Sequence, residues 1–172
     1  MKKILVVVDM QNDFIDGALG TPEACSIVAN VKNRIDSFEG DVVFTRDTHG
    51  DNYTDTQEGK MLPVPHCIKG TYGWEITDRL DVSRAVGIVD KTTFGSIELA
   101  WMLKDIESEI QEVVLVGLCT DICVVSNAIL LKAALPETKI TVDAACCAGV
   151  TPETHEKALS TLKMCQINVE NF

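Results

Sequence analysis

Short apolar runs rich in β-branched residues alternate along this chain with longer segments whose apolar residues recur at helical spacing. A strand buried on both faces reads as a continuous apolar run, while a helix packed over it shows one apolar stripe. The alternation therefore predicts an α/β fold: a Rossmann-like, three-layer α/β/α arrangement around a mainly parallel sheet of about six strands. Strands are predicted at Ile4–Val8, Val42–Thr45, Val86–Val89, Val113–Gly117, Ile140–Val142 and Ile167–Val169. Helices are predicted between them. Pro22–Phe38 carries Ile27, Val28, Val31, Ile35 and Phe38 at helical spacing behind a Thr21 N-cap, and Ser96–Ile106, Asp121–Leu135 and Pro152–Met164 read the same way. The irregular stretch Arg46–Thr71 is long for a compact domain, and such loops tend to be functional.

At 172 residues the chain has the length of one domain, expected to span 1–172. Lys and Arg number 15 against 26 Asp and Glu, a net charge of −11 that argues against nucleic acid and anionic membrane surfaces as partners. The seven cysteines are an odd set without zinc-ribbon spacing, and the opening MKKILVVVDMQNDF breaks at an aspartate too early for a signal peptide. Reduced thiols and a cytoplasmic location are expected.

In an open α/β sheet the ligand site lies beyond the carboxyl ends of the strands, so the residues that follow each apolar run carry the chemistry. Asp9 follows the first predicted strand, Asp47 and His49 the second, Lys91 the third, and Cys123 the fourth, where a helix begins. In a first helical turn, unpaired N–H groups and the helix dipole stabilise a thiolate, and a nearby Lys91 would lower the thiol pKa further. A buried structural cysteine is the alternative, and Cys119, in the preceding turn, is the rival nucleophile. Asp9 is either a general base for that thiol or a cap for the turn at Asn12 and Asp13. Lys91 is either the amine of the site or a solvated surface lysine.

Asp47-x-His49 and the later His66 supply three ligands suited to zinc or iron, with Asp51, Asp55 and Glu58 available as a fourth. A solvated acidic loop with two incidental histidines is the alternative. His155 reads as exposed and structural. Phe14, Tyr72, Trp74 and Phe94 fall near the same edge, where rings could sandwich a flat substrate or simply fill the core, and Trp101 reads as packing.

The segments Val6-Val7-Val8-Asp9-Met10-Gln11-Asn12-Asp13-Phe14, Phe44-Thr45-Arg46-Asp47-Thr48-His49, His66-Cys67-Ile68-Lys69-Gly70-Thr71, Lys91-Thr92-Thr93-Phe94 and Gly117-Leu118-Cys119-Thr120-Asp121-Ile122-Cys123-Val124 occur in that order. They resemble the isochorismatase-like cysteine hydrolases and, within them, the nicotinamidases. The resemblance implies a Cys-Asp-Lys triad made of Cys123, Asp9 and Lys91, acting through a thioester on a small-molecule amide. It also implies a cis peptide between Leu118 and Cys119 and an oxyanion hole from the backbone amides of Cys119 and Cys123. A divalent metal, zinc or else iron or manganese, would be held by Asp47, His49 and His66. The fourth ligand departs from members with a third histidine, because that position is Asp55; other members place a Glu where this chain has Glu58, the ligand favoured here. Phe14 and Leu19 match pocket positions, and Trp74 is a candidate wall. The segment after Lys91 is shorter than in many members, with Gly95 and Ser96 in place of aromatic residues.

The resemblance implies hydrolysis of nicotinamide to nicotinate and ammonia, and a homo-oligomer. A carbamoyl or ureido hydrolase of the same family would need the triad without the metal ligands. An isochorismatase-type vinyl ether hydrolase or a noncatalytic binding domain would have no use for an activated Cys123.

Overall fold

The computed structural model describes residues 1–172. Six strands, β1 (Lys2–Val8), β2 (Asp41–Asp47), β3 (Ala85–Lys91), β4 (Ile110–Leu118), β5 (Lys139–Ala148) and β6 (Asn168–Glu170), form one sheet in the order β3-β2-β1-β4-β5-β6. Every pairing is parallel. The helices are α1 (Asn12–Ile15), α2 (Pro22–Ser37), α3 (Gln57–Met61), α4 (Ile97–Lys104), α5 (Val125–Ala134) and α6 (Pro152–Met164).

Successive side chains of a strand point to opposite faces, and β1 divides its apolar residues accordingly. Ile4, Val6 and Val8 join one core with Leu99 and Leu103 of α4, Ala128 and Leu131 of α5, and Leu159 and Leu162 of α6. Leu5 and Val7 join the other, with Ile27, Val28, Val31 and Ile35 of α2. The sheet is thus covered on both faces, in three layers. Full burial of each such side chain contributes about 1.5–3 kcal/mol.

Helix starts follow local chemistry. The Thr21, Ser96 and Thr151 hydroxyls accept the amides of Ala24, Leu99 and Thr154, so α4 begins one residue after its predicted start. The segment expected as a helix from Asp121 opens instead with a π-helical turn, Thr120–Val124, before α5 begins. Strand β5 runs for ten residues where three were predicted, because the small residues after Val142 carry little apolar signal yet pair with β4 at Gly117 and Leu118. Trp101 does not pack: it is 63% exposed, sharing the outer face of α4 with Ile97, while Leu99, Ala100 and Leu103 face the sheet. The predicted irregular stretch contains the end of β2, a 3₁₀ turn at Tyr53–Asp55, and α3. No helix is long and apolar enough to cross a membrane.

Candidate active site

The strands that deliver the predicted residues are neighbours in the sheet, β3, β2, β1 and β4, and the chain reverses its direction of growth between β1 and β4. Their carboxyl ends therefore meet at one edge, at a topological switch point. Asp9 stands just past β1 at φ 48°, a left-handed conformation in which Asp is enriched. Its carboxylate does not cap the following turn. Lys91 Nζ lies 2.6 Å from Asp9 Oδ2, and the Thr45 hydroxyl donates to Asp9 Oδ1 at 2.6 Å. Lys91, the last residue of β3, is buried, so it is no surface lysine. Its ammonium also donates to the Thr93 carbonyl at 3.1 Å and to Cys123 Sγ at 3.5 Å.

Burial works against the Lys91 charge, but Asp9, Cys123 and Asp47 outweigh it and raise the pKa, so the ammonium persists at neutral pH. Burial and the Asp47 charge raise the Asp9 carboxyl above its usual range, against the pull of Lys91 and Thr45. The expectation of a depressed Cys123 pKa is not met. Complete burial and then the Asp9 carboxylate push the thiol well above its ordinary value, and Lys91 only partly opposes them. The Cys123 thiol thus lies beside a carboxylate whose own proton affinity is raised.

The Leu118–Cys119 peptide bond is cis. In the turn that follows, the Cys119 carbonyl accepts the amides of both Ile122 and Val124, at 3.1 and 3.0 Å. The Cys119 amide itself makes no hydrogen bond within the chain. Burial and then the Asp121 charge push the Cys119 thiol up to about 12, and it lacks the lysine contact that Cys123 has.

A second cluster adjoins the first. Asp47, His49, Glu58 and His66 place one ligand atom each within 4.8 Å of one another. Asp47 Oδ2 is 3.0 Å from His49 Nε2 and 3.4 Å from His66 Nε2, and Glu58 Oε1 is 3.6 and 3.7 Å from the same nitrogens. His66 Nδ1 is 2.8 Å from the Val64 carbonyl, the type of outer contact that sets a ligating imidazole's tautomer. Burial opposes ionisation of Asp47, but the two imidazoles hydrogen-bonded to it, and then Lys91, hold its carboxyl far below the usual range. Burial and the Asp47 charge raise Glu58, and the Asp47 and Val64 contacts raise His66 against burial. Two imidazoles and two carboxylates with converging free atoms suit a borderline divalent metal. Asp55 is exposed on the 3₁₀ turn, outside this set.

Cys123 sits on the floor of a cavity of about 50 Å³ lined by Phe14, Leu19, Asp47, Glu58, Leu62, His66, Phe94, Cys119 and Ile122. Glu58, Leu62, Phe94 and Ile122 also line a second cavity, of about 600 Å³. Trp74, predicted as a wall, stands elsewhere. The Arg46 guanidinium lies 3.7 Å over its ring and its Nε1–H donates to the Thr48 hydroxyl at 2.9 Å, so it braces the outside of the β2 end. Tyr72 is exposed. His155, expected to be exposed, is half-buried and hydrogen-bonded to Thr120.

Several residues of the site escaped the sequence reading. Leu62 and Ile122 line the cavity, and Thr45 orients Asp9. Tyr53, fully buried, packs edge-on to both metal-type imidazoles at 4.8 and 5.0 Å. Gln11, also fully buried, accepts the Asp47 amide at 2.7 Å and donates to the carbonyls of Asp47 and Trp74, both at 2.8 Å. A glutamine three residues past an apolar strand was the available signal, since a buried amide must find backbone partners.

The family model described as the isochorismatase domain matches residues 3–170. The nicotinamidase of Saccharomyces cerevisiae is 28% identical, with 97% of this chain and 98% of that protein covered. Among solved structures, the pyrazinamidase of Pyrococcus horikoshii in complex with zinc superposes with a TM-score of 0.83 at 30% identity, covering 100% of both chains. N-carbamoylsarcosine amidase from Thermoplasma acidophilum superposes at 0.78 with 28% identity, covering 98% of this chain and 95% of that one.

Proposed function

The chain belongs to the isochorismatase family, and from that premise we propose that it is a metal-dependent nicotinamidase, converting nicotinamide to nicotinate and ammonia. The observation that carries this reading is the position of the Lys91 ammonium, which touches Asp9, Cys123 and Asp47 and so joins a nucleophile–base pair to a metal-type ligand set. The whole chain, 1–172, acts as one hydrolase domain.

In this reading Cys123 Sγ attacks the carboxamide carbon as its proton passes to Asp9, whose raised pKa suits it to accept and later return that proton. Lys91 stabilises charge on the sulfur while the thiol is deprotonated. The carbonyl oxygen, now an oxyanion, faces the backbone amides of Cys119 and Cys123. Asp9 gives the proton to the departing nitrogen, ammonia leaves, and a thioester to Cys123 remains. Water, deprotonated by Asp9, hydrolyses it and restores the thiol. Phe14, Leu19, Phe94 and Ile122 offer apolar surface to a flat ring and exclude water from the sulfur. A divalent metal held by Asp47, His49, Glu58 and His66, zinc by the chemistry of the donors, would bind the ring nitrogen and orient the carboxamide toward the thiol. The zinc complex of the similar pyrazinamidase supports a divalent metal here. The seven free cysteines support a cytoplasmic setting.

The similarity to an N-carbamoylsarcosine amidase favours a second reading, hydrolysis of a carbamoyl group by the same triad. Ammonia release from nicotinamide, pyrazinamide and N-carbamoylsarcosine, each with and without chelator, separates the two. Turnover of nicotinamide that falls on chelation supports the first; turnover of the carbamoyl compound alone, indifferent to chelator, overturns it.

A further inference from the structure

We propose that His155 is a positioning residue for amide hydrolysis: through its hydrogen bond to Thr120 it holds the turn that aims the Cys119 amide at the substrate oxygen. The inference rests on the amidohydrolase reading above and adds to it a residue from α6, remote in sequence from every strand end of the site.

Thr120 is fully buried, and its hydroxyl makes a single hydrogen bond, to His155 Nδ1 at 2.7 Å. Thr120 directly follows Cys119 and opens the π-helical turn that carries Cys123. A π turn lacks the regular α ladder, so contacts from outside contribute more to holding its shape. Asn127 of α5 and Lys91 hold the Cys123 end of the turn, and the segment that starts α6 holds its first residues. The Val150 amide donates to both carboxylate oxygens of Asp121 at 3.2 Å, so two consecutive residues of the turn are tied to the segment that starts α6. At Gly149 a Cβ would approach the His155 amide to 2.7 Å, so the chain passes too closely there for any side chain. The Thr151 capping box fixes the first turn of α6, and with it the backbone of His155, whose amide donates to the Thr151 carbonyl at 3.0 Å. Burial lowers the His155 pKa against the raising effects of Asp121 and Glu156. The neutral ring can either accept from the Thr120 hydroxyl or donate to it, and both tautomers preserve the link.

Removal of a direct oxyanion donor lowers kcat by about 10²–10³-fold, so loss of one support behind such a donor is expected to cost about tenfold. His155→Ala should lower kcat for ammonia release about tenfold, with KM within about twofold. His155→Asn, whose amide can still reach Thr120, should recover most of the loss. Thr120→Val should match His155→Ala, and the double variant should lose no more than either single one. Alkylation of Cys123 by iodoacetamide, followed by mass spectrometry of its peptide, reports the thiol and not the oxyanion amide, and should stay within about twofold of wild type. An unchanged kcat in His155→Ala overturns the proposal, as do additive losses in the double variant or a parallel fall in alkylation. Should His155→Ala fail to fold, the asparagine and Thr120→Val variants carry the same comparison. Wild-type protein inert towards every amide overturns the parent reading as well, whereas active wild type with unaffected variants overturns this one alone.

Discussion

Asp47 and Lys91 are register partners at the carboxyl ends of β2 and β3, and their side chains approach to 3.6 Å. Sheet pairing thus places one carboxylate of the metal-type cluster beside the ammonium that contacts Asp9 and Cys123. The Asp47 Oδ1 and Asp9 Oδ2 atoms have no hydrogen bond beyond their ion pairs with this one ammonium.

Lys91→Met therefore leaves a carboxylate buried without its partner, a loss of about 3–5 kcal/mol where no proton or water compensates. Urea unfolding should show that fall, and ammonia release should drop at least about a thousandfold. Near-normal stability together with activity would remove Lys91 from the triad.

Cys123→Ala should abolish ammonia release while leaving far-UV circular dichroism and metal content unchanged, because the sulfur is not part of the ligand set. Residual turnover above background would mean that Cys123 is not the nucleophile.

His49→Ala and Glu58→Gln should both lower bound metal, measured by plasma emission after dialysis, and raise KM more than they lower kcat. Asp55→Ala should retain full metal content, since Asp55 lies outside the cluster. A metal loss confined to the Asp55 variant would reverse the assignment of the fourth ligand.

Gln11→Ala strips hydrogen bonds from the Asp47 amide and carbonyl, buried groups whose loss of a partner costs about 1–3 kcal/mol each. Outer supports of a metal ligand typically contribute tenfold to a hundredfold in affinity, so competition with a chromogenic chelator should show weaker binding by about that factor. Unaltered affinity would confine Gln11 to a folding role.

Away from the site, Glu112 accepts the Thr141 hydroxyl at 2.7 Å and pairs with Lys139 at 2.8 Å. Burial raises its pKa, but Lys139, Thr141 and Lys3 together hold it below the ordinary value. A carboxyl depressed by folding stabilises the protein above its unfolded pKa, and the contribution disappears as pH falls through the folded pKa. Glu112→Gln should cost about 1–3 kcal/mol at pH 7. The cost should shrink steadily in urea titrations carried down through the carboxylate range; a constant deficit would show that packing, not charge, accounts for it.

Much of the fold was legible because the relevant signals are local. A double-faced strand needs only its own apolar run, and the Thr21 and Thr151 caps need only the next three residues. The residues at the strand ends could be singled out for the same reason: Asp9, Asp47, Lys91 and Cys123 each follow or end such a run. Strand β5 extends past its predicted end because Cys147 and Ala148 pair with β4 through their backbones, which apolar patterning does not register.

The sequence by itself determined the alternation of elements and the chemistry carried to one edge of the sheet. Only the tertiary structure set Asp55 apart from Glu58, because the 3₁₀ turn and α3 bring the Glu58 carboxylate up to Asp47, His49 and His66 and leave Asp55 in solvent. It also placed Trp74 over Arg46 instead of in the cavity, and it raised the Cys123 pKa where a helix N-terminus suggested the opposite. The reason is common to all three: a side chain's surroundings are set by segments far apart in the chain, and at Cys123 those same segments set its desolvation.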